Sequence, residues 1–270
     1  MHYLDSDEFK LLFAHVRDLL DRPAAEALST AFLNPKEQYF LSQELRRQGE
    51  FHRTLFYGGA PGAARQKLFV LPLYVCDLCE DGGLFDAAKL YLGDEAFSSI
   101  VPLCITGGGF RTFTHRDYLG SLLSLGISRA SLGDIVPTGE CAAVVFADAA
   151  VADFLCGENV RIASDKVRIT RATLPQSFCI VQRFSPVSDT VASPRLDAVA
   201  AALGNLSRER AKEEILRGAV ELNYEVQSAP DAPVAAGDIL TLHGVGKFEI
   251  AELSDKTKKG RLRLLAKRYE

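Results

Sequence analysis

The chain has 270 residues, of which 47% are hydrophobic and 24% charged. These values are ordinary for a globular protein and exclude a disordered chain or a fibrous repeat. Its 31 Lys and Arg residues and 35 Asp and Glu residues give a formal net charge of −4 at pH 7, so any nucleic-acid site must be a local patch.

We expect a cytoplasmic protein that does not enter the membrane. No apolar run approaches the roughly 20 residues of a membrane-spanning helix, and the acidic N-terminus lacks the basic region and cleavage site of a secretory signal. The six cysteines are then expected to be reduced thiols.

The first 62 residues predict a mostly helical N-terminal domain. Apolar residues recur at helical spacing over 7–20, and a second helix fits 35–47 with Pro35 at its first position. The segment 56–64 is rich in Gly and Ala, which indicates a loop and a domain boundary. We therefore place the N-terminal domain at 1–62.

The central segment, 63–183, alternates strands and helices. Strands are predicted at 68–75, 100–106 and 141–147, and a hairpin or strand at 160–172. Helices are predicted at 114–127, capped by Thr114, and at 149–156, capped by Asp148. This order predicts a small α/β sandwich of the ferredoxin-like type. The whole chain is predicted to be a multidomain α+β protein.

The C-terminal segment, 184–270, is predicted to begin with a polar linker that contains two prolines. The linker is 185–194, one helix spans 195–203 with Ser193 as its cap, and a second spans 208–217 between Ser207 and Gly218. A strand at 220–222 is followed by a tight turn at Asn223 and Tyr224, and a second turn at 236–238 precedes a strand at 239–243.

The two helices of this segment carry cations in positions that favour an anionic ligand. Arg208 and Lys212 share one helix face, while Ala211 and Ile215 share the neighbouring face. Arg195 and Arg208 lie in first helical turns, where the helix dipole is already positive. A phosphate docked on both arginines and the helix amides would explain this placement. A solvated charged face is the alternative.

These residues resemble the S-four-type (alpha-L) RNA-binding domain. The matching positions are Arg195, Leu196, Asp197, Ser207, Arg208, Ala211, Ile215, Gly218, Val220, Asn223, Gly237, Asp238 and Ile239. The resemblance implies two helices and a small sheet that grip structured RNA, with Arg195, Arg208 and Lys212 facing the RNA.

Positive charge is concentrated near the C-terminus. Residues 195–270 hold 13 cations and 12 anions, and the stretch from Lys256 to Arg268 has seven cations and no acidic residue. If Arg261 to Leu264 form a strand, the cations point outward and the leucines inward. The predicted RNA contacts are Arg195, Ser207, Arg208, Arg210, Lys212, Lys247, Lys256, Lys258, Lys259, Arg261 and Arg263, together with His115 and Arg116. For His115 and Arg116, a role in the local turn is equally favoured.

Most of the chain resembles the YlmH family of bacterial RNA-binding proteins, most specifically over 114–127 and 194–264. The resemblance implies binding to rRNA and tRNA on a large ribosomal subunit that still carries peptidyl-tRNA. It also implies a role in ribosome-associated quality control, in which the stalled chain receives a C-terminal alanine tail. No catalysis, cofactor or small-molecule substrate is implied.

Three other motifs have part of the pattern of an enzyme or a metal site, but each lacks residues that such a site requires. Cys76 and Cys79 have redox or zinc spacing, but no second ligand pair follows. Gly107 to Gly109 do not match a dinucleotide-binding motif. The sequence His115-Arg116-Asp117 lacks the other parts of a kinase.

Two alternative functions remain open. An RNA-modifying enzyme, of pseudouridine synthase or methyltransferase type, would be anchored by the S-four-type domain and would use Asp117 or Asp197. A protein-interaction role for the first 50 residues is the weaker alternative.

Overall fold

The computed structural model describes residues 3–23, 25–77, 92, 99–107, 112–138, 143–256 and 260–270. The chain divides into two compact units, Tyr3–Ile180 and Val181–Glu270. Helices and antiparallel sheets occur in both units, which confirms the predicted α+β class.

The first unit begins with two helices whose positions follow local signals. Helix α1 spans Asp7–Asp21 and helix α2 spans Pro35–Gln48, as the apolar spacing predicts. A capping box fixes the start of α2. The Asn34 side chain accepts from the Glu37 amide at 3.0 Å, and the Glu37 carboxylate accepts from the Asn34 amide at 2.6 Å.

A three-stranded antiparallel sheet follows, in the order β1-β3-β2. Its strands are β1 (Leu28–Ser29), β2 (Thr54–Tyr57) and β3 (Lys67–Val70). The domain boundary predicted between residues 62 and 63 falls between β2 and β3, which pair with each other.

The strand predicted at 68–75 is wrong beyond β3, because helix α3 spans Leu73–Asp77. Pro72 has no amide hydrogen with which to continue the ladder. Its carbonyl instead accepts from the Val75 amide at 3.0 Å, inside a helical turn.

The rest of this unit is a four-stranded antiparallel sheet with two helices. Its elements are β4 (Ile100–Thr106), α4 (His115–Ser124), β5 (Leu132–Pro137), β6 (Ala143–Asp148), α5 (Ala149–Gly157), the hairpin β7 (Arg161–Ile162) and β8 (Asp165–Lys166), and β9 (Arg168–Arg171). The strand order is β5-β6-β4-β9. The residues predicted at the start of the third strand, 141 and 142, lie outside the described residues.

Of the two helix caps predicted here, one is confirmed and one is wrong. The Thr114 side chain accepts from the Asp117 amide at 3.4 Å and caps α4. Asp148 makes no such bond at the start of α5. Its carboxylate lies 2.5 Å from Lys67 Nζ, and the Ala149 amide donates to the Ser99 carbonyl at 3.2 Å. Tertiary partners therefore replace the local cap.

The second unit is a six-stranded antiparallel sheet with two helices, in the order β10-β15-β14-β13-β11-β12. Its elements are β10 (Phe184–Val191), α6 (Leu196–Gly204), α7 (Arg208–Leu216), β11 (Val220–Leu222), β12 (Glu225–Val226), β13 (Ile239–Leu242), β14 (Gly246–Lys256) and β15 (Leu262–Tyr269). Leu196, Ile215, Phe248 and Leu264 are among its fully buried core residues.

The polar linker predicted at 185–194 is wrong, because most of it is strand β10. This strand pairs with β15 along its full length. It lies at the sheet edge, where Pro186 is tolerated. Val187 and Val191 pack on the core and supply the apolar side of the strand.

Candidate nucleic-acid interface

A buried carboxylate holds two arginines together at the start of helices α6 and α7. Asp197 is completely buried, and Arg195 donates to it from Nε at 3.2 Å and from Nη2 at 3.3 Å. Arg208 donates from Nε at 3.3 Å and from Nη2 at 3.1 Å. We call Arg195, Asp197 and Arg208 the Asp197 cluster.

The Asp197 cluster carries more positive than negative charge. Burial by itself raises the pKa of Asp197, but hydrogen bonds from Arg195 and Arg208 outweigh burial and lower it. The carboxylate is therefore ionised at neutral pH and leaves one net positive charge. The arginine side chains stay 41% and 44% exposed, so the charged heads remain open to a ligand.

The prediction that helix amides join the arginines around one phosphate is wrong for α6. The Leu196 amide donates to the Ala232 carbonyl and the Asp197 amide to the Pro230 carbonyl, both at 2.9 Å. Ser193 is not the cap either, since Arg195 occupies that position. Backbone carbonyls from another loop satisfy these amides, so a ligand here meets side chains.

Helix α7 separates an apolar face from a polar one, as the sequence predicts. Ala211 and Ile215 are fully buried. Lys212 is half-buried and forms no ion pair within the described part of the chain. Ser207 accepts from the Arg210 amide at 3.1 Å and caps the helix.

Arg210 is neutralised within its own helix, unlike Lys212. Its guanidinium lies 2.8 Å from the Glu213 carboxylate and 2.9 Å from that of Glu214. It is therefore a weaker candidate for RNA contact than Arg208 or Lys212.

Lys247 lies between two aromatic rings on the sheet. Its Nζ is 4.6 Å from the ring centre of Tyr224 and 5.0 Å from that of Tyr269. Burial lowers the pKa of Lys247, and Glu221 opposes the shift. Tyr224 is held here by the predicted tight turn, in which it and Asn223 have positive φ.

The stretch predicted as a basic tail is largely an inner strand of the sheet. Arg263 is exposed and Leu264 fully buried on β15, as the predicted alternation requires. Arg261 donates to the Thr190 hydroxyl at 3.0 Å and to its carbonyl at 2.6 Å. Lys256 ends β14, and Lys258 and Lys259 lie outside the described residues.

Two other cations of β15 bind groups on or beside the neighbouring strand β14. Lys267 lies 3.0 Å from Glu249, and Arg268 donates to the Val245 carbonyl at 2.6 Å. This segment therefore offers fewer open charges than its composition suggests.

His115 and Arg116 belong to the first unit, where both are exposed at the start of α4. Burial lowers the pKa of His115, Arg129 lowers it further, and Asp134 opposes the shift. Neither arginine of this neighbourhood, Arg65 or Arg129, is found by the sequence analysis, because each stands alone without a periodic signal.

Arg65 and Arg129 act mainly on backbone carbonyls. Arg65 donates to the carbonyls of Phe32 and Leu132 at 2.9 and 3.0 Å, and Arg129 donates to Leu132 at 2.8 Å. Burial and the nearby Arg65 lower the pKa of Arg129 to about 10. These contacts hold the fold of the first unit.

The described residues contain no cluster of His, Cys, Asp and Glu side chains placed to hold a metal ion. The side chain of Cys76 and all of Cys79 lie outside them. No helix in the described ranges is both long and apolar enough to span a membrane.

Comparison with known proteins gives the class of the chain. Residues 105–176 match the family described as "Putative RNA-binding domain in YlmH". The chain therefore contains an RNA-binding domain of this class. The resemblance to the YlmH family that the sequence predicts is confirmed over these residues.

Two relatives accompany this match. The chain is 29% identical over 241 residues to "Ribosome-associated protein quality control protein P2" of Bacillus subtilis (strain 168), covering 89% of this chain and 87% of that protein. A solved structure, "Cell division protein ylmH from Streptococcus pneumoniae", matches with 14% identity and a TM-score of 0.43 over 64% of this chain and 94% of that chain.

Proposed function

We propose that the chain is a non-catalytic RNA-binding factor that binds rRNA and tRNA on the large ribosomal subunit. It would act in ribosome-associated quality control, on subunits that retain peptidyl-tRNA while the stalled chain receives its alanine tail. Its place of action would be the cytoplasm, where ribosomes translate.

The Asp197 cluster is the observation that carries this proposal. A buried carboxylate fixes two half-exposed guanidinium groups side by side, and Lys212 adds a cation one turn from Arg208. Guanidinium groups match the geometry of phosphate oxygens, and holding them in place lowers the entropy lost on binding. The name of the Bacillus subtilis relative supports the ribosome as the source of that phosphate.

The architecture supports two finer assignments, which we also propose. Residues 184–270, with two helices beside a sheet, would form an S-four-type domain. Residues 63–183 would form a ferredoxin-like domain, because β4, α4, β5, β6, α5 and β9 follow the β-α-β-β-α-β order with the first and third of these strands in the centre.

An RNA-modifying enzyme is the second candidate, and its two aspartates have structural partners. Asp117 accepts from the Thr114 amide at 2.8 Å in the cap of α4. Asp197 is buried under two arginines. These contacts favour the non-catalytic proposal. Mass spectrometry of digested rRNA and tRNA, with and without the protein, would detect a modified nucleoside if the enzyme alternative holds.

The direct test is co-sedimentation with purified large ribosomal subunits in salt-matched gradients. We expect the double variant Arg208→Glu, Lys212→Glu to lose binding, because it reverses the charges that face phosphate. The matched control is Lys10→Glu, Arg17→Glu on helix α1, which changes the net charge equally at exposed positions. Unchanged sedimentation of the first variant would contradict the proposal.

A further inference from the structure

The sheet of the RNA-binding domain has two faces, and both are largely covered. Helices α4 and α5 pack on one face, over a core that includes Leu103, Tyr118 and Val145. The other face packs against residues of the N-terminal region and of the segment after β9, over a second core.

The covered second face closes the usual route to bases. Val144 and Phe146 lie at the centre of the sheet on β6 and are 4% and 0% exposed. The Phe146 ring lies 6.3 Å from that of Phe178, and Phe32 packs in the same core. Sheet-based RNA-binding modules stack bases on exposed aromatic rings, whereas the rings of Phe32 and Phe146 are buried and not open to a base.

One part of that face stays open, at the β4–β9 edge. Thr106 pairs with Arg168, and Cys104 pairs with Thr170. Alternation along both strands places these four side chains on the same face, opposite the buried Ile105 and Ile169. We call Cys104, Thr106, Arg168 and Thr170 the β4–β9 strip.

The β4–β9 strip borders an open depression of about 690 Å³. It is lined by Thr106, Gly107, Lys166, Val167, Arg168 and Thr170. Thr106, Lys166, Arg168 and Thr170 are exposed, and Cys104 is partly exposed. Among the described residues, the polar part of the lining therefore consists of two threonine hydroxyls and two cations.

The two cations of this depression are available to a ligand. Neither Lys166 nor Arg168 forms an ion pair within the described ranges, whereas Arg171 lies 2.8 Å from Asp153. The acidic residue nearest to Lys166 in the sequence is Asp165, which precedes it on β8. The depression is thus more positive than the rest of this acidic chain.

We infer that the β4–β9 strip and Lys166 form a second RNA contact, which binds the ribose-phosphate backbone. This inference rests on the proposed function and adds to it the part of the central domain that touches RNA. Lys166 and Arg168 bind phosphate oxygens, and the threonine hydroxyls bind phosphate or the 2′-hydroxyl. Contacts of this kind go to the sugar and phosphate, which carry no sequence information, so the contact is independent of base sequence.

The first test compares binding to purified large ribosomal subunits as salt is raised. Affinity falls as salt rises, and loss of two phosphate contacts makes the slope of log affinity against log salt less steep by about 2. We expect this change for Lys166→Glu, Arg168→Glu and no change for the control Lys10→Glu, Arg17→Glu. Circular dichroism and thermal unfolding check that each variant folds.

A second test uses the unmodified protein and does not depend on folding of a variant. Cys104 lies in the strip, whereas Cys156 lies on α5, on the helix side of the sheet. Large subunits should slow alkylation of the Cys104 thiol several-fold and leave the Cys156 rate unchanged. Mass spectrometry of the two peptides measures both rates in one sample.

The outcomes separate this inference from the proposed function. The proposed function stands if Arg208→Glu, Lys212→Glu abolishes binding. The inference is wrong if, at the same time, Lys166→Glu, Arg168→Glu keeps the wild-type salt slope and large subunits do not slow alkylation of Cys104. If the wild-type protein does not bind large subunits, both are wrong. A reduced slope together with protection of Cys104 supports both.

Discussion

Arg208 reaches from the first turn of α7 to Asp197 in the first turn of α6, and its Nε and Nη2 donate to that carboxylate at 3.3 and 3.1 Å. The two residues join the helices at the point where their cations are exposed. One carboxylate thus links the packing of the second unit to the geometry of the surface that we propose to bind phosphate.

Replacing Asp197 by Asn should reduce both stability and RNA affinity. The amide keeps the volume but accepts fewer hydrogen bonds, and bonds to charged groups contribute about 1.5–3 kcal/mol each. Because water can solvate the half-exposed arginines, we expect a total loss of about 1–3 kcal/mol in urea unfolding at neutral pH. The control Asp231→Asn, at an exposed position, should change stability by less than about 0.5 kcal/mol. Equal stability of wild type and Asp197→Asn would show that the carboxylate charge contributes nothing.

The effect of Asp197→Asn should depend on pH in a defined direction. The pKa of Asp197 is lowered in the folded state, so its contribution is complete above the unfolded pKa of about 3.9 and is lost as pH falls through the folded pKa. The difference in unfolding free energy between wild type and variant should be constant from pH 7 to 5 and shrink below about pH 4. Burial raises the pKa of Asp134, so this residue changes the pH dependence of stability in the opposite direction. Its contribution is the same in wild type and Asp197→Asn and therefore cancels from the difference. A difference that grows at low pH would contradict this assignment.

Ser207 should act through the helix rather than through RNA. Its hydroxyl caps α7, and loss of such a cap costs about 1 kcal/mol. We expect Ser207→Ala to lower the unfolding free energy by this amount, and Ser207→Asn, which can also cap, to restore most of it. The salt slope of RNA binding should not change in either variant. A reduced slope with unchanged stability would instead indicate direct contact with RNA.

Two glycines with similar backbone angles should respond differently to a methyl group. Gly62 has φ +80°, and an added Cβ would collide with the Ile180 carbonyl oxygen. Gly49 has φ +77°, with no atom within 4 Å of the added Cβ. Gly49→Ala should cost about 1–2 kcal/mol from the left-handed conformation alone. Gly62→Ala should cost a further ~1–3 kcal/mol from overpacking, measured by urea unfolding. Equal losses would show that the chain at Ile180 moves aside.

Local signals in the sequence predict several elements well. The first two helices and α4 follow apolar spacing and capping residues, which act within one helical turn. The buried and exposed faces of α7 and the alternation of Arg263 and Leu264 are predicted for the same reason. Each of these features depends on residues close together in the chain.

The failed predictions involve partners that are distant in sequence. Asp148 does not cap α5 because Lys67 and the Ser99 carbonyl are brought beside it. The segment 185–194 has the composition of a linker, and only the edge of β15 makes most of it a strand. Amides of α6 are satisfied by the carbonyls of Pro230 and Ala232, which no helix signal encodes.

By itself, the sequence determined the secondary-structure class, the cations of the second unit and the likeness to an RNA-binding family. Those depend on residue type and spacing, which the chain carries directly. Only the tertiary structure decided which cations remain available. Hydrogen bonds and ion pairs act over about 3 Å, so the pairing of Lys267 with Glu249, the exposure of Arg168 and the burial of Asp197 depend on how distant segments meet.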